Sequence, residues 1–239
     1  MPTRPPNTAT SPRRPPPAQR SWRGVPIDAR RTERRELLVS AAFDIVGNEG
    51  AGALTVRRAC EVARLNARYF YESFDSVASL LVALYDALAA ESLRRAVTAA
   101  HAAGGEPEAQ ARAVIAAVVH FVADDPRRGR ILFSEGLGME AVAQRRRDAM
   151  LALAQFIERS TWRTTGLAED RIGMVAALIL TGGLTELIAT WLGGHLDLTV
   201  DELVDDATAL LFTLGRQAVQ TAQGRRAGPR TVRPASPSP

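Results

Sequence analysis

Residues 55–74 read TVRRACEVARLNARYFYESF, two short amphipathic stretches separated by the tight turn Arg64–Leu65. Thr55 stands where an N-cap belongs for a helix ending near Ala63, and Asn66 where one belongs for a second helix ending near Phe74. Two helices this close form a helix-turn-helix candidate. In that arrangement the second helix can lie in the major groove while the first crosses the backbone, with helix N-termini aimed at phosphates. Ala59, Val62, Leu65, Phe70 and Phe74 then make a small core, which turns Ala67, Arg68, Tyr69 and Ser73 toward the groove. Many helical hairpins share this spacing.

Outward from this stretch the apolar periodicity is three to four nearly everywhere, with no sustained alternation of period two, so the chain is expected to be all-α. Leu38, Ala42, Ile45 and Val46 mark a first helix over about residues 30–47. After the helix-turn-helix, Ser76 opens a long fourth helix to about Ala103, broken by Gly104 and Gly105. Pro107 opens a fifth and Pro126 a sixth, the latter ending near Gly136; the seventh to ninth cover about 140–164, 169–193 and 200–222. About nine helices result. The expected organisation is an arm at 1–28, a DNA-binding domain at 29–76, a helical ligand-binding and dimerisation domain at 77–223 and a tail at 224–239.

The 239 residues are 46% hydrophobic and 23% charged, enough for a sizeable core, and exclude a wholly disordered or fibrous chain. The net charge of +4 is unevenly spread: +7 over residues 1–35, +4 over 224–239 and −7 between them. All thirty basic residues are Arg, which a GC-rich coding sequence produces without any binding role. Residues 1–24 and the tail are Pro-, Arg- and Ser-rich, a composition expected to stay disordered with polyproline character. No apolar run follows Arg13 and Arg14, so export is not expected. The single cysteine, Cys60, cannot close an intramolecular disulfide, and the expected home is the cytoplasm.

From Thr55 to Leu80 the chain resembles, without a gap, the N-terminal signature of TetR-type transcriptional regulators. Thr55, Val56 and Arg57 open the signature, Asn66 caps the reading helix, Tyr71, Phe74, Asp75 and Ser76 close it, and Leu80 begins the linking helix. The resemblance implies a homodimer whose two reading heads bind a palindromic double-stranded operator, and a second domain that takes a small apolar or amphipathic effector and releases DNA. By matching positions it implies phosphate contacts at Thr55, Tyr71 and Ser73, base-reading positions at Ala67, Arg68 and Tyr69, and DNA-facing roles for Arg57 and Asn66. Arg68 can be bidentate to guanine O6 and N7, worth about 1–3 kcal/mol of discrimination. Two positions depart from the pattern: Arg64 stands where Gly is usual in the turn, and Val77 where Lys is usual at the start of the fourth helix. Residues 36–82 carry a net −2, so help with phosphates is expected from Arg20, Arg23, Arg30, Arg31, Arg34 and Arg35, which precede or begin the first helix, where a flexible basic arm could enter the minor groove.

Phe121, Phe133, Phe156, Trp162, Met174 and Trp191 are candidates to line an effector pocket, or else plain core. Ile172–Leu192 has Glu186 as its only charge, long enough for a membrane span, but a core or subunit-interface helix is expected. Gly182, Leu187 and Ile188 in the eighth helix and Leu203, Ala207 and Leu210 in the ninth suit a dimer bundle through the last two helices. Arg145, Arg146 and Arg147 read as a solvated face. The three His are isolated, with no metal-ligand spacing, and no nucleophile, Walker or dinucleotide motif is present; no metal, cofactor or enzymatic activity is expected. The rival functions are an architectural DNA-binding dimer without a ligand switch and an all-α enzyme.

Overall fold

The computed structural model describes residues 27–135, 138–166 and 170–227. Among these there are no strands, and nine α-helices follow in order: α1 (Ile27–Glu49), α2 (Val56–Ala63), α3 (Ala67–Tyr71), α4 (Val77–Ala102), α5 (Pro107–Ala123), α6 (Pro126–Gly129), α7 (Glu140–Thr165), α8 (Arg171–Leu192) and α9 (Val200–Ala227). A single 3-10 turn, Ala51–Ala53, precedes α2, and a π-turn, Arg130–Ser134, continues α6.

Local chemistry sets most boundaries. The side chains of Thr55, Asn66, Asp125 and Asp170 each accept a hydrogen bond from the backbone of the helix they precede, and Ser76 and Ser79 form a reciprocal capping box on α4. Four boundaries differ from those the sequence suggests, the first being the sixth helix, which as an α-helix ends at Gly129 and passes into the π-turn Arg130–Ser134. Helix α1 begins at Ile27, about three residues before the expected start, so Arg30 and Arg31 sit within its first two turns. Helix α3 stops at Tyr71, and Glu72 to Phe74 form a turn. Helix α9 runs through Gly224 to Ala227, four residues into the expected tail. The expected arm lies otherwise outside the described residues, as do residues 228–239 and Gly136.

Two apolar cores organise the molecule. The first gathers Leu38, Ala42, Ile45 and Val46 of α1, Ala59 and Cys60 of α2, Phe70, Phe74, and Leu80, Leu81 and Leu84 of α4. It also takes in Ile131 of the π-turn and Val142 of α7, so the helix-turn-helix shares its interior with the rest of the chain. The second core joins Tyr85 of α4, Val119, Phe121 and Val122 of α5, Leu132, Ile188 of α8, and Leu203, Val204 and Ala207 of α9. Helix α8 is long and apolar enough by composition to cross a bilayer, but here it packs on α7, α9 and the π-turn. At Gly173 an added Cβ would stand 2.5 Å from the buried Trp162 ring, which shows how closely α7 and α8 approach.

Candidate nucleic-acid interface

Helix α2 buries a stripe at positions 56, 59, 60 and 63, with Ala59 and Cys60 fully inside. Val62, expected in the core, is 37% exposed, because it lies about 160° around the helix from Cys60 by the 3.6-residue period. Burial raises the pKa of the Cys60 thiol above its ordinary value and leaves it an inert core group.

The turn keeps a left-handed residue despite the missing glycine. Arg64 has φ 53° and ψ 40°, and it is the sole non-glycine residue with positive φ among those described. Its N–H donates to the Glu61 carbonyl at 3.2 Å, and the Leu65 N–H to Cys60 at 2.9 Å, the paired bonds of a Schellman closure. The hydrogen bonds hold a conformation that costs an L-residue about 1–2 kcal/mol.

Helix α3 has five residues and is anchored by Phe70, which is fully buried against Phe74 with ring centroids 6.0 Å apart. This fixes the outer face. Ala67 and Asn66 are exposed, Tyr71 is 62% exposed, and the Arg68 side chain is 84% exposed. Tyr69 is half-buried, its ring 4.3 Å beneath the Arg34 guanidinium, and Ser73 donates its hydroxyl to the Tyr69 carbonyl at 3.0 Å. Thr55 and Arg57 stand exposed at the start of α2.

Charge pairing divides the arginines of this face. Arg68 Nε donates to Glu72 at 3.0 Å, and the other carboxylate oxygen of Glu72 takes Arg34 at 3.3 Å. Arg58 pairs with Glu49 at 3.1 Å and Glu61 at 3.5 Å, which raise its pKa through hydrogen bonding and charge. Arg35 donates to the Ser73 carbonyl at 2.9 Å and stacks over Phe74 at 4.2 Å. Arg34 and Arg35 thus brace the end of α3 from α1, a role with no local sign in the sequence. Arg31, Arg57 and Arg64 are exposed and, among the described residues, carry no ion pair. Arg64, one of the four arginines in the −2 balance of residues 36–82, places its cation at the turn.

A second polar cluster ties α6 and the π-turn to the far end of α1. Arg127 bridges Asp44 at 3.2 Å and Asp125 at 2.8 Å and stacks over Phe43 at 4.5 Å. Its guanidinium, by side-chain hydrogen bonding first, holds the Asp125 carboxyl below its usual range. Glu135 accepts from the Ala51 N–H at 2.8 Å and from Arg130 at 2.7 Å. On the opposite side of α6 the backbone at Gly129 lies so close to α8 that an added Cβ would collide with Leu192 Cδ1.

The six aromatic and methionine candidates do not converge on one cavity. Phe121 is core, clasped between the Arg95 and Arg128 guanidiniums at 4.9 and 4.7 Å. Phe133 and Met174 are half-buried, and Phe156 is 52% exposed on α7. Trp162 borders a void of about 20 Å³ between α7, α8 and α9, while Trp191 lines an open cleft of about 420 Å³ with Ala123, Pro126, Leu192 and Val200. Large apolar side chains at helical spacing carry no local sign that tells these environments apart. In the arginine run, Arg145 and Arg147 are solvated as expected, but Arg146 turns inward. Among the described residues no group of three or more His, Cys, Asp or Glu side chains is placed to hold a metal ion.

No family model matches the sequence, and no curated protein sequence does either. Many solved structures do match in fold. The fatty acid degradation regulator FadR from Bacillus halodurans is 13% identical with a TM-score of 0.63, over 74% of this chain and 94% of its own. FadR from Bacillus subtilis, solved with stearoyl-CoA, is 14% identical with a TM-score of 0.61 over 75% and 96%. A TetR-like transcriptional regulator from Rhodococcus sp. RHA1 is 20% identical with a TM-score of 0.54 over 78% and 96%. The chain has a TetR-like fold, with the helix-turn-helix at its N-terminal end.

Proposed function

We propose that this chain is a cytoplasmic homodimeric transcriptional regulator that reads a palindromic operator in double-stranded DNA. A small apolar or amphipathic effector lowers its DNA affinity, so it acts as a repressor. The observation that carries the DNA-reading part is the placement of Arg68, 84% exposed on a helix whose register is fixed by Phe70 beneath it. Ala67 and Tyr69 flank it as base-reading positions. Thr55, Arg57, Asn66, Tyr71 and Ser73 are assigned to the phosphates on either side, with Arg31 and Arg64 supplying charge and Arg30 contributing from the same turn of α1.

The dimer reading is supported by an apolar stripe that the monomer leaves uncovered. Val175, Leu178 and Ile179 recur at helical spacing on the outside of α8, and Leu210 on α9 is 71% exposed. Ile188, Leu203 and Ala207, expected at this interface, are buried inside the monomer instead. A shift of α8 would press on α6 at Gly129 and through Arg127 and Glu135 move α1, changing the spacing of two reading heads. Linkage then requires operator DNA to weaken effector binding by the same factor. The tight packing between α7, α8 and α9 favours one alternative, a dimer that organises DNA without a ligand switch. Catalysis is no part of either reading.

The test is selection of bound sequences from random duplex DNA by the full-length protein near physiological salt. An enriched palindrome is expected. Salt-sensitive binding without enrichment would give the function to the architectural alternative, and absence of binding would refute both.

A further inference from the structure

Arg68, the exposed cation of α3, is tied to an acid. Its Nε donates to Glu72 Oε1 at 3.0 Å, one turn further along the chain. Among the described residues its Nη1 and Nη2 donate to no protein group. A guanidinium has two edges that match the O6 and N7 pair of guanine, the side edge of Nε with one Nη and the end edge of both Nη. Glu72 occupies the first and leaves the second open.

Glu72 is itself held from outside α3. Its Oε2 accepts from Arg34 Nη1 at 3.3 Å. Arg34 belongs to α1, where its Nε donates to the Arg30 carbonyl at 3.1 Å and its guanidinium lies 4.3 Å over the Tyr69 ring. These contacts fix Arg34, Arg34 fixes Glu72, and Glu72 fixes the Nε of Arg68.

Folding stability does not account for this acid. An exposed i, i+4 pair contributes little, and both partners here reach solvent. A carboxylate on this face also repels phosphates, in a segment, 36–82, whose net charge is already −2. What the carboxylate does supply is order. An unheld arginine samples several rotamers, from which it reaches a phosphate as readily as a base edge, and ordering them opposes binding.

We propose that Glu72 is the specificity-determining positioning residue of the reading head: locked by Arg34, it holds Arg68 so that the Nη1–Nη2 edge meets one guanine in each half-site. The inference rests on the DNA-reading proposal and names what sets the base preference at that pair. Glu72 acts through Arg68 and not by touching a base itself. Its signature has opposite signs. Removing Glu72 frees Arg68 and deletes a charge that repels phosphates, so preference for the guanine falls while affinity for random duplex holds or rises. A residue that merely kept α3 in place would weaken both when removed.

The test uses the full-length protein and the operator selected from random duplex, with single base-pair replacements in one half-site read by competition binding. Arg68→Ala locates the pair, the one whose replacement the wild type feels and this variant does not. Guanine is expected there, and its replacement by adenine should weaken the wild type about tenfold or more. Glu72→Ala should cut that penalty about threefold or more, the scale of ordering one long side chain, with random duplex bound at least as tightly as by the wild type. Glu72→Gln, which keeps an uncharged acceptor for Arg68, should show an intermediate loss, and it carries the comparison if Glu72→Ala fails to fold. Glu61→Ala removes an acid paired with Arg58 on α2 and should leave the preference unchanged. An unchanged penalty in the Glu72 variants, equal weakening at every pair and on random duplex, or the same loss of preference in Glu61→Ala would overturn the proposal and leave the DNA-reading function standing. A flat profile for Arg68→Ala, or no enriched operator, would instead overturn the base-reading assignment and this inference with it.

Discussion

Arg64→Gly should make the protein more stable, although it removes a whole side chain. Arg64 sits at φ 53°, ψ 40°, a region that costs an L-residue about 1–2 kcal/mol relative to glycine. The side chain is exposed and has no ion pair among the described residues, so little native interaction is lost with it. Against this, glycine loosens the unfolded chain by about 0.4–1 kcal/mol. The backbone bonds from positions 64 and 65 to Glu61 and Cys60 are unaffected, since glycine adopts the same conformation. The net gain should be about 0.5–1 kcal/mol, which for a chain of this size raises Tm by about 1–4 °C. Thermal unfolding followed by helical circular dichroism, at one fixed protein concentration because a dimer's Tm depends on it, measures the difference. A fall in Tm would refute the reasoning: the turn would then not be left-handed, and the register of α3 behind it would need another explanation.

The remaining expectations concern the reading head, the dimer and acid. Arg68→Ala should cost about 1–3 kcal/mol on the selected operator and far less on random duplex, read by competition binding; a uniform loss would make Arg68 a phosphate contact. Ile179→Glu should convert the dimer to monomer at micromolar concentration in sedimentation and weaken operator binding with it, leaving the helical spectrum intact. Asp125→Asn should lower stability at neutral pH, where the wild-type carboxylate holds Arg127 and caps α6. Because the folded pKa of Asp125 is depressed, its contribution is complete above the ordinary carboxylate range near 4 and is lost as pH falls through the folded value. Urea unfolding midpoints of the two proteins should therefore converge on acidification, and a constant gap would show that the charge is not what matters.

What the sequence made legible was what a few neighbouring residues decide. Thr55, Asn66 and Ser76 cap their helices as their side-chain chemistry requires, and Pro107 and Pro126 open theirs. The choice between Cys60 and Val62 as the buried residue of α2 depends on which stripe α1 and α4 present to it, and no residue within α2 encodes that. The start of α1 at Ile27, about three residues before the expected one, is set by the helix that Leu38 and Ala42 hold down and by no residue at the boundary itself. Arg146 differs from Arg145 and Arg147 only by a rotation of about 100° around α7, which becomes an inside and an outside once α4 and the π-turn are in place. The aromatic candidates divide in the same way: Phe121 and Phe156 have equal hydrophobicity, and only distant packing makes one core and the other surface.

The brevity of α3 has a consequence for fidelity. Five residues cannot hold a helix in water by themselves. The helix exists because Phe70 is seated in the first core and because α1 grips its end through Arg34 and Arg35. The orientation of Arg68 is thus inherited from a core that reaches to Ile131 and Val142. If α3 reads bases as proposed, whatever loosens that core, even at a methyl group far from any phosphate, blurs the alphabet Arg68 distinguishes before it unfolds the chain. Error rate on near-cognate sites should consequently be a finer gauge of this protein's internal order than its melting temperature.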